Sequence, residues 1–266
     1  MKNAKKDFTF EEFNGIISTL RGEGGCPWDR EQTHDSIKLN LIEEAYEAIE
    51  ALESGNKMKF ADELGDVLLQ IVFHSVIGKE DGTFTIQDVI NLVSNKMISR
   101  HTHIFGEDKA ETSDEVLDTW EKNKLKEKGL SSYTESLEDV CKYLPALIYA
   151  QKIQKKASKA GMDWDGAEDA LSKVTEEADE IKSAIENDNI EQIEEEIGDL
   201  LFSVVNVSRL LKIDAENALR KSTEKFIKRF SLVEDETKKL GVDMSQMTLS
   251  ELDMIWDKVK KIEGNK

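Results

Sequence analysis

Along the first half of the chain, Leu39, Ile42, Tyr46, Ile49 and Leu52 follow one another at three- and four-residue steps. They break at Ser54-Gly55-Asn56 and resume as Phe60, Leu64, Val67, Leu68 and Ile71. That spacing places them on one face of a helix, so the pattern predicts two helices joined by a short turn. In the second half the corresponding break is Asn187-Asp188-Asn189. Helices of this length with so short a connection must run antiparallel. Helix starts are marked by capping chemistry, in which a hydroxyl accepts a free backbone N–H and an acid three residues on returns the bond. Thr9-x-x-Glu12, Thr85-x-x-Asp88 and Thr248-x-x-Glu251 have this form. With two prolines and fifteen glycines in 266 residues, little interrupts these helices, and an all-α chain is expected.

The two hairpins are copies. Adding 133 to positions from Glu43 to Val72 carries Glu43, Glu44, Glu47, Glu63 and Asp66 onto Glu176, Glu177, Glu180, Glu196 and Asp199. All four tryptophans pair at a nearby offset, Trp28-Asp29 with Trp164-Asp165 and Trp120-Glu121-Lys122 with Trp256-Asp257-Lys258. Lys96 and Arg100 stand four apart, as do Lys225 and Arg229. The halves carry similar net charge, −10 over 1–133 and −9 over 134–266. Two duplicated helical domains follow, 1–128 and 137–266. Residues 129–136 (GLSSYTES) are expected to link them, because they have turn-forming composition and no apolar periodicity.

The turn position tests whether the acids form a site. In an antiparallel hairpin, residues equidistant from the turn lie opposite each other. Glu44 with Asp66 and Glu47 with Glu63 are symmetric about Gly55; Glu177 with Asp199 and Glu180 with Glu196 are symmetric about Asp188. Within each helix the two acids are three apart and share a face. Four carboxylates therefore converge in each half. Two such charges about 5 Å apart repel by roughly 3 kcal/mol at an effective dielectric near 20, and a divalent cation removes that repulsion. Hard oxygen ligands suit magnesium or manganese. A helical di-iron site would need paired Glu-x-x-His motifs, and Glu31 to His34 is unmatched in the second half.

Charge narrows the ligand class. The 55 acids against 36 bases give −19, a surface that repels a phosphate backbone, so nucleic acid is not an expected partner. A small anion would need a cation or a local basic cluster. Magnesium held by a few carboxylates is typically completed by substrate phosphates, whose oxygens Lys96 with Arg100, and Lys225 with Arg229, could clamp. Trp28, Trp120, Trp164 and Trp256 could offer flat surfaces to a base, or could simply be core. Cys26 and Cys141 are too sparse for a disulfide scaffold and fit inert thiols in a reducing cytoplasm. The start MKNAKKDFTF is followed by no apolar core, and Val67 to Ile77, interrupted by Gln70 and His74, falls well short of membrane-spanning length. Neither a signal peptide nor a membrane helix is expected.

These motifs resemble the MazG family of nucleoside triphosphate pyrophosphohydrolases, within the all-α NTP pyrophosphatase superfamily. The hallmark EExxE followed by ExxD stands here as Glu43-Glu44-Ala45-Tyr46-Glu47 with Glu63-Leu64-Gly65-Asp66. It recurs as Glu176-Glu177-Ala178-Asp179-Glu180 with Glu196-Ile197-Gly198-Asp199. GGCPWDREQTH from Gly24, RHTHIFGE from Arg100 and KFIKRF from Lys225 are also similar to that family. The resemblance implies Mg²⁺-dependent hydrolysis of an NTP to NMP and pyrophosphate with broad base tolerance. Carried over by motif, Glu44, Glu47, Glu63 and Asp66, and Glu177, Glu180, Glu196 and Asp199, are the metal ligands. Glu43 and Glu176 would orient or deprotonate water. Lys225, Arg229, Trp256 and Lys258 would contact the nucleotide in the second half, which is the closer match.

A lone EExxE in so acidic a chain would mark a solvated helix face; duplication in hairpin register is what marks a site. Lys225 and Arg229 could instead pair with nearby acids. His101 and His103 lack counterparts in the second half, and Met97 and Met162 suit packing. The other class of function is a nucleotide-sensing or assembly module that keeps metal and ligand without turnover. A two-helix hairpin is too narrow to stand alone, so hairpins must pair into four-helix bundles, and a homodimer is expected.

Overall fold

A computed structural model describes residues 7–264, so the basic N-terminal start at 1–6 lies outside the described residues. Among the described residues every regular element is a helix. The chain divides into two compact units, Met1–Lys124 and Leu125–Lys266. The first holds α1 (Phe10–Arg21), α2 (Pro27–Glu31), the hairpin α3 (His34–Glu53) and α4 (Lys57–Glu80), α5 (Ile86–Arg100) and the single turn α6 (Thr102–Phe105). Helix α7 (Ser113–Lys128) runs through the boundary. The second holds α8 (Tyr133–Glu138), α9 (Ala146–Lys159), the hairpin α10 (Ala167–Glu186) and α11 (Ile190–Leu210), and α12 (Ala215–Leu240). A 3-10 turn at Met244–Gln246 and α13 (Leu249–Gly264) follow. Within the segment 129–136, Ser132 and Glu135 form a capping box that starts α8.

The expected hairpin turns fall where the breaks place them. Helix α3 ends at Glu53 and α4 starts after Asn56; α10 ends at Glu186 and α11 starts after Asn189. Both turns use a residue in the left-handed region, Gly55 at φ 73° and Asp188 at φ 52°, and each donates its N–H across 3.1 Å to a carbonyl three residues back. The next residue caps the returning helix: Asn56 accepts from Met58 and Lys59 N–H, and Asn189 from Gln192 N–H.

In each unit the second hairpin helix is the hub. Helix α4 contacts α3, α1 and α5, and α11 contacts α10, α9 and α12. The first core joins Ile17 of α1 and Ile37 of α3 to Val72, Phe73, Val76 and Ile77 of α4. Arg21 is tied under it, donating to Glu80 Oε2 at 2.6 Å and to the Gln32 carbonyl at 3.1 Å. In the second unit Ala170, Ala184, Val205, Ala215 and Val233 are buried along α10, α11 and α12.

The apolar stripe that defines the first hairpin is not this core. Leu39, Ile42, Tyr46, Ile49, Leu52, Leu64, Leu68 and Ile71 are all exposed, from 66% at Leu39 to 38% at Ile71. The reason is geometric: the helices that build the core, α1 and α5, pack on α4 elsewhere, and among the described residues none buries this face. Ile197, Leu201 and Val204 form an equally open stripe on α11.

Candidate metal centres

Because both hairpin turns share one register, the acids meet as the symmetry requires. In the first unit one carboxylate oxygen from each of Glu44, Glu63 and Asp66 lies within 4.8 Å of the others. Partial desolvation, followed by the charges of Asp66, Glu47, Glu43 and Glu63, raises the Glu44 carboxyl above its usual range. Desolvation and then the neighbouring Glu47 do the same to Glu63. Glu47 thus adjoins the triad, while Glu43 is exposed on its flank.

The second unit repeats the triad with Glu177, Glu196 and Asp199, again within 4.8 Å. Here the burial is deeper, with Glu177 3% exposed. Its Oε1 takes an ion pair from Lys173 Nζ at 2.8 Å, and that ammonium also donates to Glu176 Oε1 at 3.0 Å. These hydrogen bonds hold Glu177 below the usual carboxylate range and push Lys173 up. The adjoining Glu177 carboxylate first, then desolvation and the charge of Glu196, raise Glu180 above its usual range. The other Glu177 oxygen, Oε2, is buried without a hydrogen-bond partner.

That orphaned oxygen tests the metal assignment. An unpaired buried carboxylate oxygen is costly, and Glu177, Glu196 and Asp199, each with one oxygen within 4.8 Å of the others, offer the hard donor set of a divalent ion such as Mg²⁺. The residues present therefore fit such an ion.

The basic and aromatic candidates fall into two different settings. In the first unit Arg100 is 6% exposed and lies over the Trp120 ring at 5.4 Å, with the His101 ring edge-on to Trp120 at 4.8 Å; Lys96, one turn earlier, is exposed. In the second unit Lys225 is exposed and Arg229 half-buried on α12. Phe226, between them, packs on Trp256 of α13 at 5.2 Å, while Lys258 pairs with Glu236 at 2.7 Å. Lys239 first and Lys258 with it draw the Glu236 carboxyl down to about 2. His34 lies not with Glu31 but against His74, their Nδ1 atoms 2.7 Å apart.

Sequence reasoning missed Lys173. Its signal was the spacing, one helical turn before Glu177 on the same face, but the repeat hid it because the same register in the first half is Asn40.

Comparison with known proteins identifies one family in both halves. Residues 32–105 and 166–233 each match the MazG nucleotide pyrophosphohydrolase domain. The nucleoside triphosphate pyrophosphohydrolase/pyrophosphatase MazG of Thermotoga maritima is 44% identical over 94% of this chain and 95% of its own. The nucleoside triphosphate pyrophosphohydrolase of Escherichia coli K12 is 40% identical over 93% of this chain and 95% of its own. The protein YabN of Bacillus subtilis is 44% identical over 96% of this chain and 52% of its own length.

Proposed function

This chain belongs to the MazG nucleotide pyrophosphohydrolase family, and we propose that it hydrolyses nucleoside triphosphates to nucleoside monophosphate and pyrophosphate with Mg²⁺, or Mn²⁺ in its place, and with broad base tolerance. The observation that carries this reading is the duplicated carboxylate triad, whose second copy leaves Glu177 Oε2 buried and unpartnered.

Glu177, Glu180, Glu196 and Asp199 would hold the ion in the second unit, and Glu44, Glu47, Glu63 and Asp66 in the first. Bound there, Mg²⁺ supplies charge neutralisation for the triphosphate and acidifies a water. Glu176, whose Oε1 accepts from Lys173, would orient or deprotonate the attacking water; Glu43 has the same register in the first unit. Lys173, which bonds both Glu176 and Glu177, would add a positive charge beside the triphosphate. Lys225 and Arg229 stabilise the departing pyrophosphate, and Trp256 and Lys258 extend the nucleotide surface of the second unit.

The first unit supports a second reading for itself alone. Arg100, the counterpart of Arg229, is buried against Trp120, which suits a unit that binds without turnover. The exposed hairpin stripes support a homodimer in which each is covered by a copy of the chain, since burying one such side chain contributes about 1.5–3 kcal/mol. The two distant thiols, and the fact that among the described residues no helix is long and apolar enough to cross a membrane, are compatible with a cytoplasmic enzyme.

Pyrophosphate release from ATP, CTP, GTP and UTP, measured with Mg²⁺ and again with excess EDTA, tests the proposal. Release from several NTPs that stops with EDTA is expected. Release indifferent to EDTA, or none with any NTP, contradicts it.

A further inference from the structure

Where α11 ends in the second unit, a cavity of about 650 Å³ opens between α9, the last turn of α11 and the connection to α12. Its lining is cationic: Lys152 and Lys155 of α9, Arg209 of α11 and Lys212 of the connection, against one carboxylate, Asp214. In a chain of 55 acids and 36 bases that concentration is out of keeping with the composition. Like charges gathered around one space repel one another until an anion joins them. Arg209 is already paired with Asp163. Among the described residues Lys152, Lys155 and Lys212 make no ion pair.

The walls are fixed to each other. Gln151 of α9 donates from Nε2 to the Ile213 carbonyl at 3.0 Å and accepts the Ala215 N–H on Oε1 at 3.4 Å. Asp214, between them, caps α12 by accepting the Asn217 N–H at 3.0 Å. The lysines of α9 and of the connection are therefore held around one space by a side chain that carries no charge.

Lys212 gives a second, independent sign. It sits in the left-handed region at φ 59°, a conformation that suits glycine and costs a lysine. Helix α4 of the first unit ends in the same hydrogen-bonded turn and uses glycine there. Gly82, at φ 68°, donates its N–H to the Lys79 carbonyl and Thr83 to that of Gly78, just as Lys212 donates to Arg209 and Ile213 to Ser208. The other cations are missing from the first unit as well. At the tryptophan offset of 136, α1 carries Ile16 and Thr19 in place of Lys152 and Lys155, and at the hairpin offset of 133 Val76 stands for Arg209. One copy of the repeat thus holds a strained lysine and three further cations where the other has none of the four.

This cavity is separate from the metal centre, because Asp199 stands about 15 Å back along α11 from Arg209. A triphosphate seated at the triad is much shorter than that. Cations on two walls, with room for more than one phosphate, match a ligand whose negative charge is spread over two phosphoryl groups. We propose that the cavity is a second anion site, taking a diphosphate group without a metal through Lys152, Lys155 and Lys212, either as inorganic pyrophosphate or on a nucleoside diphosphate.

The test is calorimetric titration of pyrophosphate, and separately of ADP, into the full chain in excess EDTA. Lys155→Gln, Lys212→Gly and Arg229→Ala are titrated beside it. Lys212→Gly removes the charge and installs the residue that the backbone prefers, so its Tm should hold or rise while binding is lost. The unsubstituted chain is expected to bind one anion without metal, each lysine variant about fivefold or more weakly, and Arg229→Ala as well as the unsubstituted chain. No metal-free binding, an affinity unchanged in either lysine variant, or an equal loss in Arg229→Ala overturns the proposal. Tighter pyrophosphate binding makes the inorganic anion the ligand and tighter ADP binding makes it a nucleotide; both uphold the site. Because binding is read without metal and without turnover, the site stands or falls apart from the pyrophosphohydrolase reading.

Discussion

Lys173 Nζ lies 2.8 Å from Glu177 Oε1, so the second acidic cluster carries its own internal cation. Glu177 is almost fully buried, and its carboxylate depends on that ammonium. A carboxyl held below its ordinary range contributes stability above the unfolded value and loses it as pH falls through the depressed folded value. Lys173→Met is expected to lower the metal-free Tm at pH 7 and to flatten its fall on acidification, while the Tm gain on adding Mg²⁺ becomes larger than in the unsubstituted chain. Thermal melts from pH 3 to 8, with and without Mg²⁺, check this. An unchanged metal-free Tm would make the pair incidental.

The ligand assignment predicts that charge and turnover separate. Glu180→Gln and Asp199→Asn each take one charge from a repelling cluster, so helicity and metal-free stability should hold or rise slightly. Mg²⁺-dependent NTP turnover should fall by about a hundredfold or more. Steady-state kinetics beside circular dichroism decides the matter. A collapse of the metal-free fold would mean the acids are structural.

The first cluster has the opposite pH signature from Glu177. Glu63 is raised above 4.5, so its folded form holds the proton more tightly than the unfolded chain does, and stability declines as pH rises through the folded value. Glu63→Gln removes that decline. Without metal, the variant should melt above the unsubstituted chain near neutral pH and level with it below pH 4.5. Equal melting points at both ends would contradict the crowding of carboxylates in the first unit.

The two arginines at matching positions should fail in different ways. With Arg229 on a substrate phosphate as proposed, Arg229→Ala would remove one charge-assisted contact, worth roughly 1.5–3 kcal/mol, and should lower kcat/KM by about ten- to a hundredfold. Arg100 is packed against Trp120, so Arg100→Ala should lower Tm with a smaller effect on turnover. Equal kinetic losses would indicate two equivalent catalytic units.

Much of the arrangement was legible before any coordinates because the hairpin register is written twice. Ser54-Gly55-Asn56 and Asn187-Asp188-Asn189 share turn chemistry rather than sequence, and a glycine and an aspartate adopt the same left-handed backbone at one register. With the turn located, the meeting of Glu44 with Asp66 and of Glu177 with Asp199 follows from symmetry alone. Which face would be covered was not legible. Three- and four-residue periodicity marks an apolar face but not whether another helix of the unit covers it, and Ile42, exposed, and Val72, buried, look alike on that measure. Lys173 was hidden for a different reason: its register position in the first half holds Asn40, so the repeat does not point to it.

Phosphorus NMR of the products that the full chain forms from ATP with Mg²⁺ tests the central claim most directly. The account predicts AMP and pyrophosphate as the first products, in equal amounts and absent when EDTA is in excess. ADP and orthophosphate as first products, or the same AMP and pyrophosphate with all divalent metal chelated, would contradict it.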